Sequence, residues 1–69
     1  MSQEEEILSL LKKEGKPLTS EQICRALNIP KHVASSSLFS LLRKGMVKRV
    51  YTEDYDPTRP FDTVSWVIE

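Results

Sequence analysis

Residues 19–45, with the sequence TSEQICRALNIPKHVASSSLFSLLRKG, contain two helix patterns separated by a short connection. Thr19 and Gln22 have the spacing of a capping box, in which each side chain bonds to the backbone of the other residue. This pattern predicts a short amphipathic helix that begins after Thr19 and ends near Asn28.

The second helix of this stretch begins at Pro30 or Lys31. Proline disfavours a helical conformation in the residue before it but is well tolerated in a first helical turn. The helix is predicted to run to Lys44, with Gly45 as its C-cap. Two helices joined by so short a connection form a helix-turn-helix unit.

A further helix is predicted at residues 3–14, before this unit. Ser2 and Glu5 repeat the capping-box spacing, and the acidic residues 4–6 complement the positive end of the helix dipole. Gly15 then ends the helix.

The pattern changes from helical to extended after the unit. Residues 46–52 and 63–68 are rich in β-branched and aromatic side chains and predict two strands, joined by a long loop at 53–62. A short first strand near 16–18 is able to pair with this hairpin. The predicted fold class is α+β, a winged helix-turn-helix of three helices and a β-hairpin wing. Because 69 residues hold one hydrophobic core, we expect a single domain over 1–69.

Composition favours an intracellular protein of the cytoplasm or nucleus. No apolar run approaches the roughly 20 residues of a membrane span, and residues 1–6 are acidic where a signal peptide is basic. Cys24 is the single cysteine, so it forms no internal disulfide, and we expect it to pack as a small core residue.

The net charge is zero, but the charges are segregated along the chain. No acidic residue occurs between Glu21 and Glu53, whereas six cations and one histidine do. Such a cationic block favours a polyanionic ligand, and the alternative is a solvated surface with chance clustering. The block contains Arg25, Lys31, His32, Arg43, Lys44, Lys48 and Arg49.

The predicted third helix has two distinct faces. At 100° per residue, Ala34, Leu38 and Leu41 fall together and form a core face. The opposite face combines small hydroxyl side chains and cations with one aromatic ring, which suits contact with a nucleic-acid groove or phosphates. It contains His32, Ser36, Phe39 and Arg43, with Ser35 and Ser40 at its edges.

Phe39 has two interpretations. Its ring either contacts sugars and bases, or it is covered by the wing and completes the core. Both hold together if Trp66 packs against the edge of the ring and the two form one aromatic platform.

The sequence offers no catalytic arrangement or cofactor motif. His32 has no acidic residue near it in sequence, and Ser35–Ser37 lack the glycine-framed turn that exposes a nucleophile. Gly15 and Gly45 both end helices, which leaves no glycine-rich phosphate loop. We therefore expect a binding module, not an enzyme, with no cofactor or metal.

The chain resembles the Z-alpha family, winged-helix domains that bind left-handed Z-form DNA and RNA. The resemblance is carried by residues 6–11 (EILSLL), 29–31 (IPK), 38–45 (LFSLLRKG) and Trp66. It implies a ligand contact surface on the third helix and the wing.

The resemblance assigns Z-form contacts to particular positions of this chain. Lys31 and Trp66 match the family's lysine and tryptophan. Ser35 stands at the asparagine position and keeps one hydrogen-bonding hydroxyl, and Phe39 stands at the tyrosine position and keeps the ring without its hydroxyl. Thr63 and Val64 stand where the family has prolines.

These observations predict a nucleic-acid-binding domain that recognises a DNA or RNA duplex through its third helix and wing. We expect the protein to be a monomer in isolation, and two copies to bind one duplex as a further expectation. A Z-form duplex is one version of the predicted ligand. The candidate nucleic-acid-binding residues are Lys31, His32, Ser35, Ser36, Phe39, Arg43, Lys48, Arg49 and Trp66.

Two alternatives remain open at this stage. One is a protein-interaction module that uses Phe39, Trp66 and the acidic loop 53–56. The other is a dimeric transcriptional regulator that reads sequence in B-form DNA.

Overall fold

The order of helices and strands confirms the predicted winged helix-turn-helix. A computed structural model describes residues 2–69. The first helix matches the predicted range, and a short fourth helix was not predicted. The elements are α1 (Gln3–Glu14), β1 (Leu18–Thr19), α2 (Ser20–Leu27), α3 (Lys31–Arg43), β2 (Val47–Val50), α4 (Pro60–Thr63) and β3 (Ser65–Ile68).

The connection between α2 and α3 forms as its sequence predicts. The Thr19 hydroxyl accepts a hydrogen bond from the Gln22 backbone N–H over 3.1 Å, and the side-chain Oε1 of Gln22 accepts one from the Thr19 backbone N–H over 2.9 Å. Asn28 then takes a left-handed conformation with φ 55° and ends α2. Pro30 is the N-cap of α3.

The end of α3 differs by one residue from the prediction. Lys44 is the C-cap, and Gly45 follows it with φ 74°. The Gly45 N–H donates to the Leu42 carbonyl and the Met46 N–H donates to the Leu41 carbonyl. This is a Schellman motif, in which glycine occupies the left-handed position just after the cap.

The three strands form one antiparallel sheet in the order β1-β3-β2. The predicted first strand exists, but it lies at Leu18–Thr19 and not at 16–18. Its Leu18 is paired with Trp66, and Arg49 of β2 is paired with Trp66 from the other side. Trp66 therefore lies in the central strand.

The predicted loop 53–62 is partly helical, and we call residues 51–64 the wing segment. The Thr63 hydroxyl donates to the Arg59 carbonyl and accepts from the Asp56 N–H over 2.8 Å. Hydrogen bonds from Thr58 to the Asp56 carboxylate lower the pKa of Asp56. These local bonds order the wing segment and begin α4 at Pro60, where proline suits a first turn.

The core lies between the three long helices and the inner face of the sheet. The predicted core face of α3, Ala34, Leu38 and Leu41, is fully buried. Cys24 is half-buried at the margin of the core, outside its centre. Within residues 2–69, no helix has the length and apolarity needed to cross a bilayer. The core residues are Ile7, Leu11, Leu18, Ile23, Ala34, Leu38, Leu41, Val47, Val64 and Trp66.

Candidate nucleic-acid interface

One face of α3 is exposed along its whole length. His32, Ser36, Phe39 and Arg43 are all exposed and follow one another at intervals of three or four residues, so they form a single row along the helix. We call these four residues the α3 row. Ser35 is half-buried beside the row. With Lys31 at the start of the helix, the structure thus places six of the predicted site residues on α3.

Half of the cations in the predicted cationic block are neutralised by carboxylates from elsewhere in the chain. Each of three pairs lies within hydrogen-bonding distance, and two of them join α3 to other elements. The pairs are Arg25–Glu21 at 2.9 Å, Lys31–Asp62 at 2.8 Å and Lys44–Glu4 at 2.8 Å.

The remaining cations of the block are Arg43, Lys48 and Arg49. Within residues 2–69, none of the three has a carboxylate oxygen within 4.0 Å. All three are exposed, so their charges face solvent. These side chains are available to an anionic ligand without first breaking an ion pair.

Lys48 and Arg49 do not share one face of the sheet. Successive side chains of a strand point to opposite faces. Arg49 is paired with Trp66 and lines a cleft with Phe39, so it lies on the α3 side, whereas Lys48 is paired with Val67 on the other face. Lys48 therefore lies away from the α3 row, and its contact with nucleic acid stays a prediction.

Phe39 is both a surface residue and a packing partner. Its ring is 40% exposed. The Phe61 centroid lies 6.1 Å away, and the Trp66 centroid lies 5.9 Å away at an interplanar angle of 87°. The edge-on arrangement with Trp66 is a favoured aromatic geometry. The wing segment thus packs against one side of the ring and leaves the other open.

Trp66 supports Phe39 and does not reach the surface. Its side chain is fully buried, and its indole Nε1–H donates to the Ser20 hydroxyl over 2.8 Å. The edge-on contact places Trp66 against Phe39 at the base of the surface, and a direct contact of Trp66 with a ligand stays a prediction.

A cleft of about 230 Å³ opens between α3, β2 and the wing segment. Phe39 and Arg49 line it together with Tyr51, Tyr55 and Phe61. Sequence reasoning missed the last three. Tyr55 and Phe61 lie in the predicted loop, which has no periodicity that assigns a residue to a face, and Tyr51 lies at the end of the predicted strand 46–52. The signal that was present is composition, since three aromatic rings occur within residues 51–61.

The site contains no arrangement suited to nucleophilic or metal chemistry. Burial raises the pKa of the Cys24 thiol, which favours its protonated form. Within the described part of the chain, no three histidine, cysteine or acidic side chains are grouped as metal ligands. What the surface offers is cations, hydroxyls and aromatic rings.

Fold and surface together define a winged-helix domain of the DNA-binding class. The MarR family model matches residues 6–56, from α1 into the wing segment. The chain belongs to the MarR family, whose winged-helix domains are DNA-binding regulators and not enzymes. This match supports the winged helix but not the Z-alpha family in particular. Comparisons with curated proteins and with solved structures give no match.

Proposed function

We propose that this domain binds duplex DNA by placing the α3 row against the groove while Arg43 and Arg49 contact phosphates. The observation that carries this proposal is the unpaired state of both guanidinium groups within residues 2–69, on the side of the fold where the row is exposed. Arg43 lies one helical turn beyond Phe39, and Arg49 shares the cleft with Phe39.

The members of the α3 row and Arg49 of β2 have different roles in this proposal. Arg43 and Arg49 supply the sequence-independent attraction, because guanidinium groups replace counterions condensed on the phosphates. The Ser36 hydroxyl and the His32 ring donate or accept hydrogen bonds at base edges. The open side of Phe39 makes apolar contact with sugars or thymine methyl groups.

Salt dependence tests the proposal directly. The affinity for a fluorescein-labelled duplex is measured by anisotropy. The logarithm of the association constant should fall linearly with the logarithm of the salt concentration, with a slope of about −0.9 for each phosphate contacted. Amide shifts on titration should map to α3, β2 and the wing segment. Binding that is insensitive to salt, or shifts confined to other elements, would favour a protein partner. Parallel titrations with an RNA duplex of the same sequence separate DNA from RNA.

A left-handed duplex is the second candidate ligand. The exposed ring of Phe39, held edge-on against Trp66, favours it, because the Z-alpha resemblance assigns a Z-form contact to position 39. The test is the near-ultraviolet circular dichroism of an alternating G–C duplex, which inverts if the domain stabilises the Z-form. An unchanged spectrum at saturation excludes this version. Preference for one mixed sequence with an unchanged spectrum instead indicates reading of B-form DNA.

A further inference from the structure

We infer that the aromatic cleft is a site for one unpaired nucleobase and its phosphate. The inference rests on the proposed function and names a ligand feature that the α3 row does not read. The cleft is lined by four partly exposed aromatic rings, those of Phe39, Tyr51, Tyr55 and Phe61, and by one guanidinium, that of Arg49.

The shape of the cleft favours contact with the face of a base over contact with the base edges in a duplex groove. Tyr51 is 64% exposed, and its ring meets that of Tyr55 edge-on with centroids 4.7 Å apart. A base inside a duplex presents only its edge, because both of its faces are covered by neighbouring bases. A base that leaves the stack presents its face, and aromatic side chains bind base faces by stacking.

The size and charge of the cleft fit a single nucleotide. Its volume of about 230 Å³ is below the roughly 300 Å³ at which pockets for drug-sized molecules begin, so one ring system suits it better than a larger ligand. Arg49 supplies one positive charge with no carboxylate partner among residues 2–69, which complements one phosphate. The hydroxyls of Tyr51 and Tyr55 add hydrogen-bonding groups for a base edge.

The location of the cleft links it to the duplex surface. Phe39 belongs both to the α3 row and to the cleft wall. A duplex held against the row therefore has its backbone close to the cleft, and a bulged nucleotide needs only to rotate out of the stack to enter it. Unpaired and bulged bases leave the stack at a lower free-energy cost than paired bases.

The experiment compares three otherwise identical duplexes, one blunt and fully paired, one with a single bulged adenine, and one with a bulged abasic nucleotide. The abasic probe keeps the flexibility of the bulge without a base. The adenine bulge should bind about tenfold more tightly than either of the others, as expected for one stacked base. Nuclear Overhauser contacts should join the bulged adenine to the rings of Tyr55 and Phe61.

Variants distinguish base binding in the cleft from duplex binding by the rest of the interface. Tyr51→Ala should reduce the preference for the adenine bulge over the abasic bulge to threefold or less. Arg49→Gln removes a phosphate contact that both bulged probes retain, so it should weaken binding of both to a similar extent. Lys48→Gln removes a neighbouring cation on the opposite face of the sheet and should leave that preference unchanged. Equal affinity for the adenine and abasic bulges would overturn the inference and leave duplex binding standing. Failure of all three probes to bind would instead overturn the proposed function.

Discussion

The ammonium nitrogen of Lys31 lies 2.8 Å from Oδ1 of Asp62 and 3.0 Å from Oδ2, so the first residue of α3 is tied to α4 in the wing segment. Lys31 is the lysine that the sequence assigned to phosphate contact. A phosphate that binds this ammonium group would compete with the Asp62 carboxylate for it. Binding of DNA through Lys31 therefore requires exchange of one anion for another.

Asp62→Asn should increase affinity for a DNA duplex. An exposed ion pair contributes up to about 1 kcal/mol, so removal of the competing carboxylate should tighten binding by up to about fivefold. Because one more cation becomes available to a phosphate, the slope of log affinity against log salt should become steeper by about 0.9. Anisotropy titrations over a salt series measure both quantities.

Asp54→Asn is the matched control. It makes the same change of charge on the exposed wing segment, and Asp54 forms no ion pair among residues 2–69. If both variants change the salt slope equally, the effect comes from net charge, and the Asp62 carboxylate does not compete with phosphate for Lys31.

Arg43→Gln and Arg49→Gln should each weaken duplex binding and make the salt slope shallower by about 0.9, because each removes one phosphate contact. Arg25→Gln is the control, since Arg25 lies on α2 and already pairs with Glu21 at 2.9 Å. Equal losses in all three variants would mean that binding follows overall charge and that the α3 surface has no special role.

The α-helical part of the fold was predictable because its signals are local. The capping box at Thr19 and Gln22, the proline at position 30 and the glycine at position 45 each act within a few residues. The α3 row follows from helical periodicity in the same way. The cap of α3 was misplaced by one residue because glycine prefers the position after the cap.

The missed features depend on residues far apart in sequence. Lys31 meets Asp62 and Lys44 meets Glu4 across separations of 31 and 40 residues, which no local pattern encodes. The resemblance assigned a ligand contact to Trp66, but its side chain packs in the core between the sheet and the helices and is fully buried. The opposite orientations of Lys48 and Arg49 were readable from strand alternation, since that rule needs no tertiary contact.

Glu4 should couple stability to pH. The hydrogen bond from the Lys44 ammonium is the main cause that lowers the pKa of Glu4 below its ordinary value of 4.5, and the Ser40 hydroxyl also contributes. A carboxylate with a lowered folded pKa stabilises the fold above its ordinary pKa. This contribution is lost as the pH falls through the lowered value. Wild type should therefore melt at a higher temperature than Glu4→Gln at neutral pH, and the two should converge in acid.

Glu5→Gln controls for the loss of one negative charge in the first turn of α1. Glu5 is exposed and has no ion pair within the described chain. Thermal melts of the three proteins from neutral pH to below pH 4.5 give the comparison. If the melting temperatures of Glu4→Gln and wild type differ by the same amount at every pH in this range, the stabilising effect of Glu4 does not depend on ionisation of its carboxylate.

Ser20→Ala should destabilise the domain by about 1–3 kcal/mol, because the buried indole N–H of Trp66 loses its hydrogen-bond acceptor. For a domain of this size, each 1 kcal/mol lowers the melting temperature by about 4–8 °C. Ser9→Ala, at an exposed position of α1, makes the same chemical change and should have little effect.

The substitution Trp66→Phe tests whether the effect of Ser20→Ala depends on the indole N–H that donates to the Ser20 hydroxyl. In that background no indole N–H remains, so Ser20→Ala should change the free energy of unfolding by less than about 0.5 kcal/mol. Denaturant unfolding of the four proteins in the cycle gives the coupling. If Ser20→Ala is equally damaging with phenylalanine at position 66, the serine stabilises α2 independently of the indole. The position of the Phe39 ring would then depend on packing against Trp66 and Phe61, without a contribution from the indole hydrogen bond.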